Sequence, residues 1–357
     1  MRTLLTQLTV PSRQPTFFEW KDRTVKDLMD HCFKSEDLKA VVSQLWVFYG
    51  APVEKESALI FMMATESYLS DGAWHIKGTS LALAEGYAAR IRELGGTVKT
   101  STLVQKITME DGMATGVMTA DGQRFTARYV VANTDPYQLV YKLIGKEHLP
   151  TEYVEKLESM KPANSLFGVY LGLNIDLKAR GYNDTEIIYN TARSSAQMYD
   201  AMMKGDYANS AVAITIYSNL GDPVYAPKGK SVVKLDAYSD ISVWPKDQAA
   251  YTRMKEQKMD ELIALAAKVI PELKDPKNIV VKEGYTPKTI ERYTMNRGGV
   301  VYGFEVTPEQ WQKVPNSTPV DNVFVASNWT QAWHGVGSCQ LNGWRVARLI
   351  LDREGME

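Results

Sequence analysis

Cysteine is almost absent: Cys32 and Cys339 are the only two in 357 residues. With no Cys-x-x-Cys pair, a disulfide framework is excluded, and a reducing cytoplasm is the expected compartment. An excess of either charge is missing too. Lys and Arg number 41 against 42 Asp and Glu, a net charge of −1. A nucleic-acid partner would need a clustered basic surplus, so none is expected. No segment approaches the roughly 18 apolar residues that span a bilayer; the longest comparable run, residues 58–64 (ALIFMMA), has the size of a core piece. The opening residues, MRTLLTQLTVPSRQPTFFEW, hold one early Arg but neither a sustained apolar region nor a small-residue cleavage site. No secretory signal is expected, and the sequons at Asn183, Asn316 and Asn328 carry little weight. The four histidines, His31, His75, His148 and His334, show no paired metal spacing.

What is present is the balance of a globular protein, 45% hydrophobic and 23% charged. The length predicts two domains. Neither an internal repeat nor a low-complexity linker separates them, which favours domains woven together over domains on a tether.

Residues 24–48 carry Val25, Leu28, Met29 and Phe33 at helical spacing behind a Thr24 or Asp27 cap. A second helix over 39–49 ends at Gly50-Ala51-Pro52, and a third covers 54–68. Trp46, Phe48, Tyr49, Met62 and Met63 load this front with apolar bulk, which suits either helical core packing or the lining of an apolar tunnel. Leu81, Ala84, Ala88, Ile91 and Leu94 form a further stripe, ended by Gly95-Gly96 as by a left-handed cap. Strands are then predicted over 97–100, 104–109, 113–119 and 123–132, with Asp111-Gly112 and Asp121-Gly122 as hairpin turns. Farther on, strands over 166–174, 211–217 and 231–238 form a separate mixed or antiparallel sheet. Helices cover 152–160 and 246–270.

The chemistry concentrates at the end. An apolar strand over 323–326 runs into Ser327-Asn328-Trp329-Thr330, then His334-Gly335-Val336-Gly337, then a helix over 338–351. A strand, a glycine turn and a helix N-terminus suit an acceptor-rich group, because backbone N–H groups and the helix dipole point at it. Such turns also occur as plain connections. Gly229-Lys230-Ser231 imitates the end of a P-loop, but Val224 stands where the first glycine belongs and Pro227 breaks the loop. No Gly-x-Ser-x-Gly nucleophile turn is present. His334 reads as a proton donor or as an ordinary loop histidine.

The segment VDNVFVASNWTQAWHGVGSCQLNGWRVARLIL resembles the C-terminal block of the phytoene desaturase, carotenoid isomerase and retinol saturase family. The blocks YTPKTIERYTMNRGGVVYGFE, APKGKSVV and DGAWHIKGTSLALAEGYAARIRELGGTVKTSTLVQKI resemble the same family. The meander DGMATGVMTADGQRFTARYVVANTDP follows in the family's order. Each block is loose and their order is specific; the match runs from about Thr24 to the C-terminus. The resemblance implies a two-domain α/β flavoprotein with a Rossmann-type cofactor domain and a mixed-sheet and helical substrate domain. It implies FAD as cofactor. The adenine end would meet the backbone of Val104, and Asn133 would lie where the fold returns to the dinucleotide. Ser327, Asn328, Gly335, Val336 and Gly337 would surround the flavin ring and ribityl chain. From the residues alone, Val104 is equally a core valine, and Asn133 a turn residue before Asp135-Pro136.

The departures are Thr79 in place of a glycine, Ser327 in place of the glycine after the strand, and Trp333-His334 where small residues are common. The largest is the lack of a Gly-x-Gly-x-x-Gly turn after an N-terminal strand, the element that holds the FAD pyrophosphate. The expectation is therefore an incomplete cofactor domain over 75–135 and 285–357, and a substrate domain over 1–74 and 136–284. The expected activity is desaturation, saturation or cis–trans isomerisation of a long apolar polyene, a carotenoid, retinoid or similar isoprenoid. Peripheral membrane contact is the matching expectation. The alternative is a truncated non-catalytic remnant, or half of a split enzyme that binds FAD only with an N-terminal partner fragment. No catalytic acid or base is nominated.

Overall fold

A computed structural model describes residues 15–310, 313–331 and 334–356; the opening residues and Trp333 lie outside the described residues. The chain divides into two units, residues 1–83, 164–289 and 306–311 in one, and 84–163, 290–305 and 312–357 in the other. The strands of the described residues are β1 (Val104–Glu110), β2 (Met113–Thr119), β3 (Arg124–Thr126), β4 (Val130–Ala132), β5 (Ser165–Leu173), β6 (Glu186–Asn190), β7 (Ala211–Ile216), β8 (Ser231–Ser239), β9 (Ile279–Tyr285) and β10 (Val323–Val325).

In the first unit, five antiparallel strands lie in the order β6-β7-β8-β5-β9. Alternation decides the faces. Phe167, Val169 and Leu171 of β5 and Val233 and Leu235 of β8 are fully buried. The helix Gln248–Ala266, capped by Asp247 accepting from the Ala250 amide at 2.8 Å, packs on this sheet. Strands β6 and β9 were not expected from the sequence. They are the sheet edges, where half-exposed or charged side chains blur the period-2 signal. The helical front begins at Val25–Cys32 with a Thr24–Asp27 capping box. The helix expected over 39–49 is instead Glu36–Val42 followed by a 3₁₀ turn, Gln44–Phe48. Ser43 turns its hydroxyl back to the Lys39 carbonyl at 2.8 Å where the two meet, a local bond that competes with helix continuation. Trp46 and Tyr49 are buried, and Trp46 packs edge-on against Tyr238 at 5.8 Å. The third helix is Ala58–Ser70.

In the second unit, β1, β2 and β3 form the expected meander. Asp111 and Gly112 take φ of 47° and 77°, as a two-residue hairpin turn needs. The single strand expected over 123–132 divides: β3 stays in the meander, while β4 leaves to pair in parallel with β10. Asn322 holds the division. Its side chain exchanges hydrogen bonds with the Ala114 backbone at 2.9 and 2.7 Å and donates to the Arg128 carbonyl at 2.8 Å. Its own carbonyl accepts from the Val130 amide at 2.9 Å. Residues 97–100 form no strand. The core around the parallel pair is Val323, Val325, Tyr137, Leu139, Phe304 and Trp329. The chain closes with the helix Val336–Arg353.

Candidate functional site

Strands β4 and β10 run parallel with Val325 opposite Ala132, so both C-terminal ends fall together. The Ala326 amide donates to the Ala132 carbonyl at 3.0 Å. Ligands of parallel α/β sheets bind at such ends. Asn133 and Ser327 are the residues that leave them: Asn133 is exposed and Ser327 is buried. Val104 is half-buried at the start of β1, opposite Thr119 in the separate meander. The structure therefore brings Asn133 and Ser327 to one edge and leaves Val104 on another sheet.

The turn after β10 is held from below by polar side chains that sequence reading missed. The Ser327 carbonyl accepts from Thr330 Oγ1 at 2.8 Å and from Asn342 Nδ2 at 2.9 Å. Asn316 Nδ2 donates to the Val325 carbonyl at 2.8 Å. Asn316 and Asn342 are both buried; in the sequence the first stands out only as part of a sequon. Their signal was a polar residue at a fixed distance from an apolar strand, which is visible only once the strand's neighbours are known. Asn328 donates to the Val301 carbonyl at 2.9 Å. Gly303 is required beneath it, because a Cβ there would stand 2.7 Å from the Asn328 carbonyl oxygen.

Above the turn, the helix Val336–Arg353 starts without a side-chain cap. Its N-cap, Gly335, has φ +96°, a conformation that branched residues avoid. A Cβ added at Gly335 or Gly337 would meet nothing within 4 Å. Gly337 does not need the left-handed region, so steric strain falls on Gly335 alone. Beside them, His334 meets Tyr302 edge-on at 4.9 Å and bonds its backbone, while Nδ1 is buried without a partner. Burial, aided by the Lys313 charge, lowers its pKa to about 4 and keeps the imidazole neutral. Lys313 is buried, donates to the Phe304 carbonyl at 3.0 Å and bonds the Glu305 carbonyl. Burial lowers its pKa to about 7. The arrangement offers uncapped helix amides, open space over glycine, one orphaned imidazole acceptor and a lysine poised near neutrality. It fits a flat, heteroatom-rich group with both donors and acceptors.

A strand end, a glycine turn and an uncapped helix start are the parts with which α/β folds hold nucleotide cofactors. Residues 23–351 match the family of flavin containing amine oxidoreductases, and the chain belongs to that family. The family implies a flavin cofactor, and the unpartnered His334 Nδ1 and the open space at Gly335 and Gly337 leave an acceptor and room for such a group. The chain is 26% identical to prolycopene isomerase of Daucus carota over 77% of its length and 43% of the relative's. It is 24% identical to 4,4'-diaponeurosporene oxygenase of Staphylococcus aureus, covering 86% and 59%. To all-trans-retinol 13,14-reductase of Danio rerio it is 23% identical, covering 90% and 56%. The chain thus spans about half the length of these relatives. In fold it is similar to an oxidoreductase of Methanosarcina mazei, with a TM-score of 0.62, 15% identity and coverage of 91% and 68%. It is similar also to putrescine oxidase bound to putrescine, with a TM-score of 0.63, 13% identity and coverage of 93% and 68%. No helix of the described residues is long and apolar enough to cross a membrane, and no group of three or more metal-ligating side chains occurs among them.

Proposed function

We propose that the chain forms the substrate-handling and ring-facing part of an FAD-dependent oxidoreductase acting on a long apolar polyene, a carotenoid or a retinoid. The observation that carries this reading is the match of most of the chain to three relatives named for polyene chemistry, an isomerase, an oxygenase and a reductase. The flavin supplies hydride chemistry, so this chain's task is binding, orientation and exclusion of water. Ser327, Asn328, Gly335, Val336 and Gly337 would cradle the ring and ribityl chain, and Val104 and Asn133 would serve the adenine side. His334 Nδ1 offers a neutral acceptor. No residue is assigned as catalytic acid or base. With the flavin-binding unit restored, incubation with carotenoid and retinoid extracts should change a visible spectrum or a retention time. Turnover confined to small amines such as putrescine would overturn the reading.

Replacing Gly337 by Val tests the cradle. The site has room, so in the complex with a βαβ fragment the variant should fold as the parent does while losing bound flavin; unchanged flavin content of that complex would remove Gly337 from the cradle.

A second reading concerns FAD binding itself. Strand β4 pairs only with β10, and its other edge meets no strand among the described residues. Parallel strands normally sit inside larger sheets covered on both faces. An open parallel edge supports a partner fragment that adds strands and the glycine turn for the pyrophosphate. Co-expression with such a βαβ fragment should convert a colourless chain into a yellow complex. Peripheral membrane contact is supported by Leu69 and Trp74, which are 82% and 89% exposed. Flotation with liposomes should carry the chain upward, and Trp74→Ala should weaken this; complete absence from the lipid fraction at low and high salt counts against it.

A further inference from the structure

The five-stranded sheet has a second face, opposite the buried one, and its centre is neither apolar nor merely solvated. Register places Tyr170 opposite Lys234, and Gly168 opposite both Asp236 and Tyr285. Lys234 Nζ lies 2.8 Å from Asp236 and sits over the rings of Tyr170 and Tyr285, at 5.6 and 5.4 Å from their centroids. The Tyr285 hydroxyl donates to the same Asp236 carboxylate. Gly168 is forced by this crowding, since a Cβ there would stand 2.5 Å from the Tyr285 hydroxyl and 2.6 Å from Asp236. Next to the pair, Tyr217 stacks on Tyr225 at 5.0 Å and 20°. Burial works against the Lys234 charge, but Asp236 and the hydroxyls of Tyr170 and Tyr217 outweigh it and raise its pKa. The ammonium is therefore permanent at neutral pH.

An ion pair between aromatic walls could be simple packing. Three features go further. Both charged side chains keep 18% of their surface accessible. The ammonium has three donors and the carboxylate about four acceptor sites, so neither is exhausted by the contacts above. The flanking rings present flat apolar surface to whatever approaches.

We propose that this sheet face binds the hydroxyl-bearing end of a conjugated substrate, with Lys234 donating a hydrogen bond to the hydroxyl oxygen, Asp236 accepting the hydrogen bond that the hydroxyl donates, and the Tyr170, Tyr285 and Tyr217 rings lying along the chain. A hydroxyl is at once donor and acceptor, which is what an ammonium–carboxylate pair demands. A terminal carboxylate would meet Asp236, a terminal amine would meet Lys234, and a pure hydrocarbon would leave both unanswered. This assignment rests on the polyene reading and narrows it to polyene alcohols.

The test is ligand binding by the full chain, followed by quenching of its tryptophan fluorescence. The probes are all-trans-retinol, the corresponding acid and the corresponding polyene hydrocarbon. The chain should prefer the alcohol to the other two by about tenfold or more, the scale of a hydrogen bond to a charged group. The double variant Lys234→Met/Asp236→Leu leaves no buried charge unpaired and so should fold. It should lose that preference while its hydrocarbon affinity is unchanged. Tyr170→Leu should weaken all three ligands together. If the double variant keeps the preference for the alcohol, the assignment is wrong although the polyene reading stands. If the unaltered chain binds none of the three, both fall.

Discussion

The five-stranded sheet of one unit and the two-stranded parallel pair of the other are both made of apolar strands, yet they finish their surfaces in opposite ways. Strands β5 and β8 sit inside their sheet, and the residues of their apolar face are fully buried. The outer side of β10 is occupied, because Ser317 bridges Phe324 and the Val325 amide donates to the Asn316 carbonyl at 2.8 Å. Among the described residues no strand or bridge pairs with the outer edge of β4, and Val131 is 47% exposed. In the same unit Tyr87, Ile91 and Leu94 stand exposed on or just after the helix Thr79–Glu93, which buries no residue. Antiparallel sheets tolerate a wet face, whereas parallel strands belong in covered sheets. Among the described residues, one unit thus covers its apolar strand faces, and the other leaves a parallel strand edge and apolar helix residues exposed.

The largest expected effect probes the covered side. Phe167 is fully buried between the rings of Tyr207 at 4.7 Å and Trp244 at 5.1 Å. Phe167→Ala should cost about 3–5 kcal/mol, the usual range for emptying an aromatic site in a packed core. Denaturant unfolding measures it; a loss under about 1 kcal/mol would mean the sheet is not the stable body this comparison makes it.

On the other side, Asn322 joins the meander to the parallel pair. Asn322→Ala would strand the Ala114 amide and carbonyl and the Arg128 carbonyl. A cost of about 2–4 kcal/mol is expected, at 1–3 kcal/mol for each buried group that water cannot reach. Protection of the Ala114 amide from hydrogen exchange should fall with it. If that amide stays protected, the meander is held by something else.

Much of this division was open to sequence reading and some was not. The hairpin turns, the meander and the final strand–turn–helix were legible because Asp-Gly pairs, period-2 alternation and a glycine after an apolar strand are local signals. The break between β3 and β4 was hidden, since a side chain two hundred residues away imposes it. For the same reason Asn316 and Asn342 escaped notice under the turn, and β6 and β9 at the sheet edges. Lys234 and Asp236 are two ordinary charges in sequence; only the register with Tyr170 and Gly168 makes them a site.

A smaller, pH-dependent effect separates the helical front from the rest of its unit. Glu56 is buried, and neither carboxyl oxygen has a partner. Burial raises its pKa well above the ordinary 4.5. The folded chain prefers the protonated acid, so nothing is lost below the unfolded pKa. As pH rises above it, the unfolded chain ionises and folding weakens by up to about 1.4 kcal/mol per pH unit until the folded pKa is reached. Glu56→Gln removes that slope, so its stability advantage should widen between pH 5 and pH 8. Parallel pH profiles for the two chains would show that Glu56 has found a partner or water.

The smallest effect is the one that bears most directly on the open side of the comparison. Trp344 lies on the helix Val336–Arg353 and is 62% exposed. Where a tryptophan is covered by a neighbouring layer, truncating it costs several kcal/mol. Here its ring is mostly in water, and Trp344→Ala should change the unfolding free energy of this chain by less than about 0.5 kcal/mol, as exposed substitutions do. A βαβ fragment that completes the sheet would cover the ring and change the outcome. The same variant should then weaken association with the fragment by about tenfold or more, the scale of a buried aromatic anchor. A large loss of stability in the isolated chain would show that Trp344 is already packed. No loss with the fragment would place the added layer on the helix Thr79–Glu93 or against β4 alone.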